Sequence, residues 1–127
     1  MIVRNLDELK ATGRYAEKKG LWSSARYLLK DDGVGFTVTQ TMLAAGQGLE
    51  MEYKNHIEAN LIIEGEGVVT DLATGKKHSL QPGSMYTLDK HDRHHMQAIT
   101  DMRLVCVFTP ALTGQETHDE DGSYPLL

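Results

Sequence analysis

Ile57-Glu58-Ala59-Asn60-Leu61-Ile62-Ile63 runs into Glu64-Gly65-Glu66-Gly67. Val68-Val69-Thr70-Asp71-Leu72, the turn Ala73-Thr74-Gly75-Lys76 and Lys77-His78-Ser79-Leu80 follow, and Pro82-Gly83 turns the chain again. Short β-favouring runs cut by glycine-rich turns read as strands, and nothing in this stretch has helical length or period. The pattern extends both ways. Upstream, Gly35 to Leu43 sets Phe36, Val38, Gln40 and Met42 against Thr37, Thr39, Thr41 and Leu43, a period of two, and Ser24 to Lys30 precedes it across the turn Asp31-Asp32-Gly33. Downstream, Met85 to Leu88, His94 to Ile99 and Met102 to Thr109 complete roughly eight or nine strands at the spacing of a sandwich or barrel. A helix is expected only near the N-terminus, where Asn5 and Glu8 resemble a capping box and Gly13 can stop it. The segment from Pro110, with Glu116-Thr117-His118-Asp119-Glu120-Asp121-Gly122, is expected to be polar and without strands.

The 127 residues predict one domain, 1–127, large enough to bury a core without disulfides. Cys106 is the single cysteine, and its apolar run Met102-Arg103-Leu104-Val105-Cys106-Val107-Phe108 predicts a buried thiol in a reducing compartment. No apolar stretch approaches membrane-spanning length and Met1 to Leu6 lacks a signal-peptide block, so a cytoplasmic protein with no membrane partner is expected. A net charge of −5, with 13 scattered Lys and Arg, excludes nucleic acid as the expected partner.

Glu58 and Gly65 match the second half of the first cupin motif, and Gly83 and His94 match the ends of the second. The first motif's histidine pair is missing, Asp89-Lys90-His91 replaces the Pro-x-Gly centre of the second, and Ala98 replaces its asparagine. A longer set of strings resembles the ectoine synthases within that superfamily. These are Lys30-Asp31-Asp32-Gly33-Val34-Gly35-Phe36, Tyr53-Lys54-Asn55-His56-Ile57-Glu58-Ala59, Glu64-Gly65-Glu66-Gly67, Pro82-Gly83-Ser84-Met85-Tyr86, Met102 to Phe108 and Leu112 to Gly122. The resemblance implies an all-β, double-stranded β-helix cupin barrel with a short N-terminal helix. It implies a homodimeric, cytoplasmic, Fe(II)-dependent hydro-lyase that closes N-γ-acetyl-L-2,4-diaminobutyrate into ectoine, a compatible solute of osmotic stress, with loss of water.

Strand phase gives the resemblance a chemical test. If His56, Glu58, Asn60 and Ile62 share one face, an inward Glu58 needs a metal, an arginine or a proton, because burying a bare carboxylate costs several kcal/mol. The opposite phase leaves Glu58 in solvent. His94 shares its phase with Met96 and Ala98, whereas His95 points the other way. On the resemblance Glu58, Tyr86 and His94 hold the metal; a carboxylate, a phenolate and an imidazole suit iron better than structural zinc and leave positions for substrate. Tyr86 could equally be a core or rim residue.

Tyr53 and His56 are the expected proton carriers, His56 preferred because an imidazole titrates near ~6.5. Arg26 could clamp a carboxylate or lie on the surface. Trp22, Thr41, Cys106, Phe108, Glu116 and His118 are substrate-binding candidates by resemblance. Glu116 and His118 also share a phase if that segment is extended, and could form a polar lid. Asp92 could orient His94 or cap its loop. Two other classes compete, a non-catalytic ligand-binding cupin and a different metallo-cupin enzyme. The strings carrying Tyr53, His56 and Glu116 weigh against the first, and the missing histidine pair against the second.

Overall fold

Asn5 starts the one α-helix as its spacing to Glu8 predicts. In the computed structural model, which describes residues 1–127, helix α1 spans Leu6–Ala11 and the Asn5 side-chain oxygen accepts a hydrogen bond from the Glu8 N–H at 3.0 Å. Ten strands follow: β1 Tyr15–Lys18, β2 Trp22–Leu28, β3 Thr37–Leu43, β4 Gly48–Met51, β5 Ile57–Glu64, β6 Gly67–Asp71, β7 Lys77–Leu80, β8 Met85–Thr87, β9 His94–Ala98 and β10 Met102–Thr109. All pair antiparallel, in a six-stranded sheet ordered β1-β2-β3-β10-β5-β8 and a four-stranded sheet ordered β4-β9-β6-β7.

Two of these strands escape the sequence reading. Strand β1 is four residues long and half charged, and β4 begins at a glycine; each is strand only because a neighbour, β2 or β9, supplies its hydrogen bonds. Strand β2 also ends earlier than expected, since Lys30–Asp32 form a 3-10 turn closed by left-handed Gly33. Asp32 anchors that turn. Its carboxylate accepts from Arg4 at 2.7 Å, Arg14 at 3.0 Å and the Leu29 N–H at 2.9 Å, which ties the N-terminal arm to the sheet. The Arg4 hydrogen bond, with help from Leu29 and Arg14 and against the cost of burial, holds the Asp32 carboxyl well below the usual carboxylate range.

The core sits between the sheets and includes Ile62, Val69, Leu80, Leu88, Met96, Ala98, Met102, Leu104 and Phe108. Its phase follows the period of two: His56, Glu58, Asn60 and Ile62 are buried, whereas Ile57, Leu61 and Ile63 are exposed. The inward phase of Glu58 is therefore the one the chain adopts. At the turn between β5 and β6, Gly65 has φ +87°, and a Cβ there would lie 2.0 Å from the Asp101 carbonyl oxygen, so only glycine fits.

Candidate active site

Strand register brings five inward positions into one row across the larger sheet. Arg26 on β2 pairs with Thr39 on β3, Thr39 with Cys106 on β10, Cys106 with Asn60 on β5, and Asn60 with Tyr86 on β8. Ser24, Thr41, Leu104 and Ile62 form the next row, and Thr37, Phe108 and Glu58 the row on the other side. These rows floor a cavity of about 560 Å³ between the sheets, with Met51, Met96 and the segment after β10 on its other walls. A volume of that order suits a small metabolite.

Glu58 lies in this wall, 6% exposed, and takes part in none of the protein's ion pairs. Burial pushes its carboxyl up to about 7, against a smaller opposing effect of Asn60. The same charge is felt by its neighbours. Burial first and Glu58 second raise Tyr53 and Tyr86 well above the ordinary phenol range, Cys106 to about 12 and Tyr124 to about 12. Four weak acids crowd one buried carboxyl that has no ion-pair partner, and Arg26 is felt only at Tyr124.

His94 enters from the smaller sheet. Its Nδ1 lies 2.9 Å from the Asp92 carbonyl oxygen, which leaves Nε2 as the lone-pair nitrogen, and Nε2 is buried with no hydrogen-bond partner. Asp92 thus orients His94 through its backbone, while its carboxylate accepts from the Lys90 N–H at 3.3 Å and caps the loop. The Tyr86 ring lies 6.3 Å from the His94 ring, centre to centre. No three His, Cys, Asp or Glu side chains cluster as a metal group, but a set built from a carboxylate, a phenol and an imidazole contains only two of those types. A buried carboxyl without an ion-pair partner and a buried imidazole nitrogen without a hydrogen bond, each adjoining Tyr86, are groups that suit a cation.

Residues 110–127 contain no helix or strand, as expected, yet they are tied down along their length. The Leu112 N–H donates to Thr37 Oγ1 at 2.8 Å, the Lys54 N–H to Ser123 Oγ at 3.0 Å, and Asn55 Nδ2 to the Tyr124 carbonyl at 2.9 Å. This strap carries His118 to Tyr53, whose hydroxyl lies 2.9 Å from His118 Nε2. Tyr124 completes the stack, 4.4 Å from the His118 ring and 5.1 Å from the Tyr53 ring. Burial lowers His118 below the ordinary histidine range despite Asp119, so its Nε2 is free to accept the Tyr53 proton in a hydrogen bond. Glu116 is spent differently. Burial raises its carboxyl, but the N–H groups of Thr113 and Gly114, at 2.7 and 2.9 Å, and the Thr113 hydroxyl outweigh it and hold the group below its usual value.

The profile of the ectoine synthase family matches residues 1–127. The chain belongs to the ectoine synthase family. It is 54% identical to the L-ectoine synthase of Sphingopyxis alaskensis, over 98% of this chain and 90% of that protein. It is 50% identical to the L-ectoine synthase of Oceanobacillus iheyensis, over 100% and 98%. The crystal structure of ectoine synthase from P. lautus superposes with a TM-score of 0.87 at 46% identity, covering 100% of this chain and 91% of that one. KdgF from a Halomonas species, with a TM-score of 0.65 at 15% identity over 76% and 84%, shares the fold alone. An RmlC-like cupin from Shewanella frigidimarina does the same, at 0.64 and 19% over 76% and 83%. The fold is thus the all-β cupin barrel with a short N-terminal helix, and the chain, like the ectoine synthases, is an enzyme of the lyase type.

Against the ectoine synthase resemblance, the structure brings Trp22, Arg26, Thr41, Tyr53, Glu58, Tyr86, Cys106, Phe108, Glu116 and His118 to the one cavity. His94 stands behind Tyr53 and Tyr86, its ring 6.2 and 6.3 Å from theirs. His56 is placed elsewhere. It is buried behind Phe108 and Tyr124, with edge-on ring contacts to both, and borders a separate hollow with Lys30 and Pro110, whereas His118 lines the cavity. The carboxylate of Glu116, expected as part of a polar lid, is engaged by its own loop. Two residues that line the cavity, Tyr124 and Asn60, were missed, as was His91, which holds the Tyr53 backbone. Tyr124 was legible as an aromatic stranded in a polar segment. Asn60 was visible as a polar residue in the inward phase of a central strand. His91 lies at the glycine position of the second cupin motif and keeps a left-handed backbone, φ +54°, while its Nδ1 lies 2.7 Å from the Tyr53 carbonyl oxygen.

Proposed function

We propose that the chain makes ectoine by closing N-γ-acetyl-L-2,4-diaminobutyrate on itself in the cavity between the sheets, with ferrous iron held by Glu58, Tyr86 and His94. The observation that carries the reading is the buried Glu58 carboxyl without an ion-pair partner and the buried, unpartnered His94 Nε2, both of which adjoin Tyr86. When bound, the ion supplies Lewis acidity at the acyl oxygen. The rest falls to this chain's own residues.

Arg26, at one end of the five-residue row and on the same strand as Trp22, is suited to the substrate carboxylate. The α-nitrogen attacks the acyl carbon, and two protons pass from that nitrogen to the acyl oxygen, which leaves as water while the ring becomes an amidinium. Tyr53 and His118 carry those protons singly: the imidazole accepts the first, and the phenol, fully protonated and hydrogen-bonded to it, relays it. Phe108, Leu104 and Cys106 present apolar or undissociated surface, so bulk water does not compete with the α-nitrogen. Cavity walls on both sheets hold the substrate folded, which supplies orientation that a poor electrophile such as an amide requires.

Purified protein reconstituted with ferrous iron and offered N-γ-acetyl-L-2,4-diaminobutyrate should yield ectoine. Glu58→Ala, Tyr86→Ala and His94→Ala should each lose bound iron and turnover together. Full iron content in Tyr86→Ala would remove the phenol from the set. We also read the protein as a single-domain, cytoplasmic homodimer serving osmotic tolerance. Cys106 as a buried free thiol supports the compartment, and no helix is long and apolar enough to cross a membrane. Exposed Met1, Ile2 and Val3, with Met85 exposed on edge strand β8, support the dimer; light scattering that finds a monomer would refute it.

A further inference from the structure

Among the fully buried side-chain polar atoms of the floor, the Asn60 amide nitrogen is the one without a hydrogen bond at normal length. Asn60 is 2% exposed and lines the cavity in the central strand β5, and its buried Nδ2 makes no hydrogen bond of normal length, although it lies close enough to the Glu58 carboxyl to hold that group down. A buried donor of this kind costs stability, so a chain that keeps one inside a cavity wall has a ligand group to satisfy. The register says which group. Asn60 lies between Cys106 and Tyr86 in its row and two residues from Glu58 on the same strand face, one strand in from the end of the floor opposite Arg26. Strands β2 and β5 are three intervals apart, about 14 Å along the sheet at ~4.8 Å each, and the long Arg26 side chain closes much of that span. A substrate whose carboxylate meets Arg26 therefore delivers its acyl end to Asn60.

We propose that Asn60 is a catalytic residue whose carboxamide donates a hydrogen bond to the acyl oxygen of the substrate. This rests on the ectoine-forming reading above. That oxygen gains negative charge as the α-nitrogen attacks, so the bond strengthens in the transition state and acts mainly on kcat. In the free protein the same donor is unsatisfied, so function and stability pull in opposite directions at this position.

The test is Asn60→Leu, of similar shape and without a donor, compared with wild type and with Asn60→Ser, which keeps a smaller donor. Ectoine formation, iron content and thermal midpoint are measured on each. Asn60→Leu should lose about 10²- to 10³-fold in kcat with a small change in KM, the loss typical of one missing oxyanion donor. It should keep its iron and melt at a higher temperature than wild type. Asn60→Ser should recover part of the rate. Wild-type turnover alongside an Asn60→Leu kcat within twofold overturns the proposal. So does a lowered melting midpoint, which would make the carboxamide a structural group, or a loss of iron in step with activity, which would make Asn60 a support for Glu58. Absence of ectoine with the wild type instead overturns the functional reading on which the proposal rests.

Discussion

Replacing Tyr53 by phenylalanine isolates one oxygen atom. The Tyr53 ring packs edge-on against Phe108 at 5.3 Å and stacks on Tyr124 at 5.1 Å, and a phenylalanine ring keeps both contacts. What is lost is the hydroxyl, 2.9 Å from His118 Nε2 and 3.2 Å from Met51 Sδ. A net hydrogen bond is worth about 1 kcal/mol, and a half-buried nitrogen left unpaired adds to that, so Tyr53→Phe should cost about 1–3 kcal/mol of stability. A domain with about 5–15 kcal/mol in hand stays folded. Removing a proton carrier costs far more in rate, about 10²- to 10⁴-fold, because the amine must then shed its protons without a positioned acceptor. Urea melts and chromatographic assay of ectoine on the same preparation separate the two effects. Since phenol and imidazole act as a unit, Tyr53→Phe combined with His118→Gln should be little slower than either alone. Fully additive losses, or a Tyr53→Phe enzyme with wild-type kcat, would refute the proton relay.

His118, held below the ordinary histidine range by burial, stays unprotonated at neutral pH, so the acid limb of kcat/KM should fall below pH ~6.5 and disappear in His118→Gln. The Asp32 carboxyl is depressed in the folded state by Arg4 and Arg14. Its contribution is thus present above the unfolded carboxylate value near ~3.9 and fades as pH falls toward the folded one. Asp32→Asn should lower the urea midpoint at pH 7, and its difference from wild type should shrink below pH ~4. Gly65→Ala, forced into a left-handed backbone with its Cβ against the Asp101 carbonyl, should cost at least about 2 kcal/mol and show it as a lowered melting midpoint. An unchanged midpoint would mean that the turn between β5 and β6 can open.

Much of the barrel could be read from the chain because alternation survives translation into structure. Glu58, Asn60 and Ile62 turned inward as a block, and His94, Met96 and Ala98 did the same, since a strand's side-chain period is two whatever its partners. Strands β1 and β4 were invisible for the complementary reason: their residues carry little β preference, and pairing alone makes them strands. The expected polar segment after β10 was correctly read as lacking strands, but its composition gave no hint that Leu112, Ser123 and Tyr124 would fasten it to the barrel.

Local order and chemical inventory were set by the sequence: the capped helix, the turn glycines, the inward faces, and the residue types from which a carboxylate, a phenol and an imidazole could be drawn. Neighbourhood was not, because contacts between residues distant along the chain depend on register and on loop paths that no local pattern encodes. Register alone lined up Arg26, Thr39, Cys106, Asn60 and Tyr86 across five strands. Loop path alone delivered His118 to Tyr53 and left His56, only three residues from Tyr53 in the chain, on the far side of Phe108 and Tyr124.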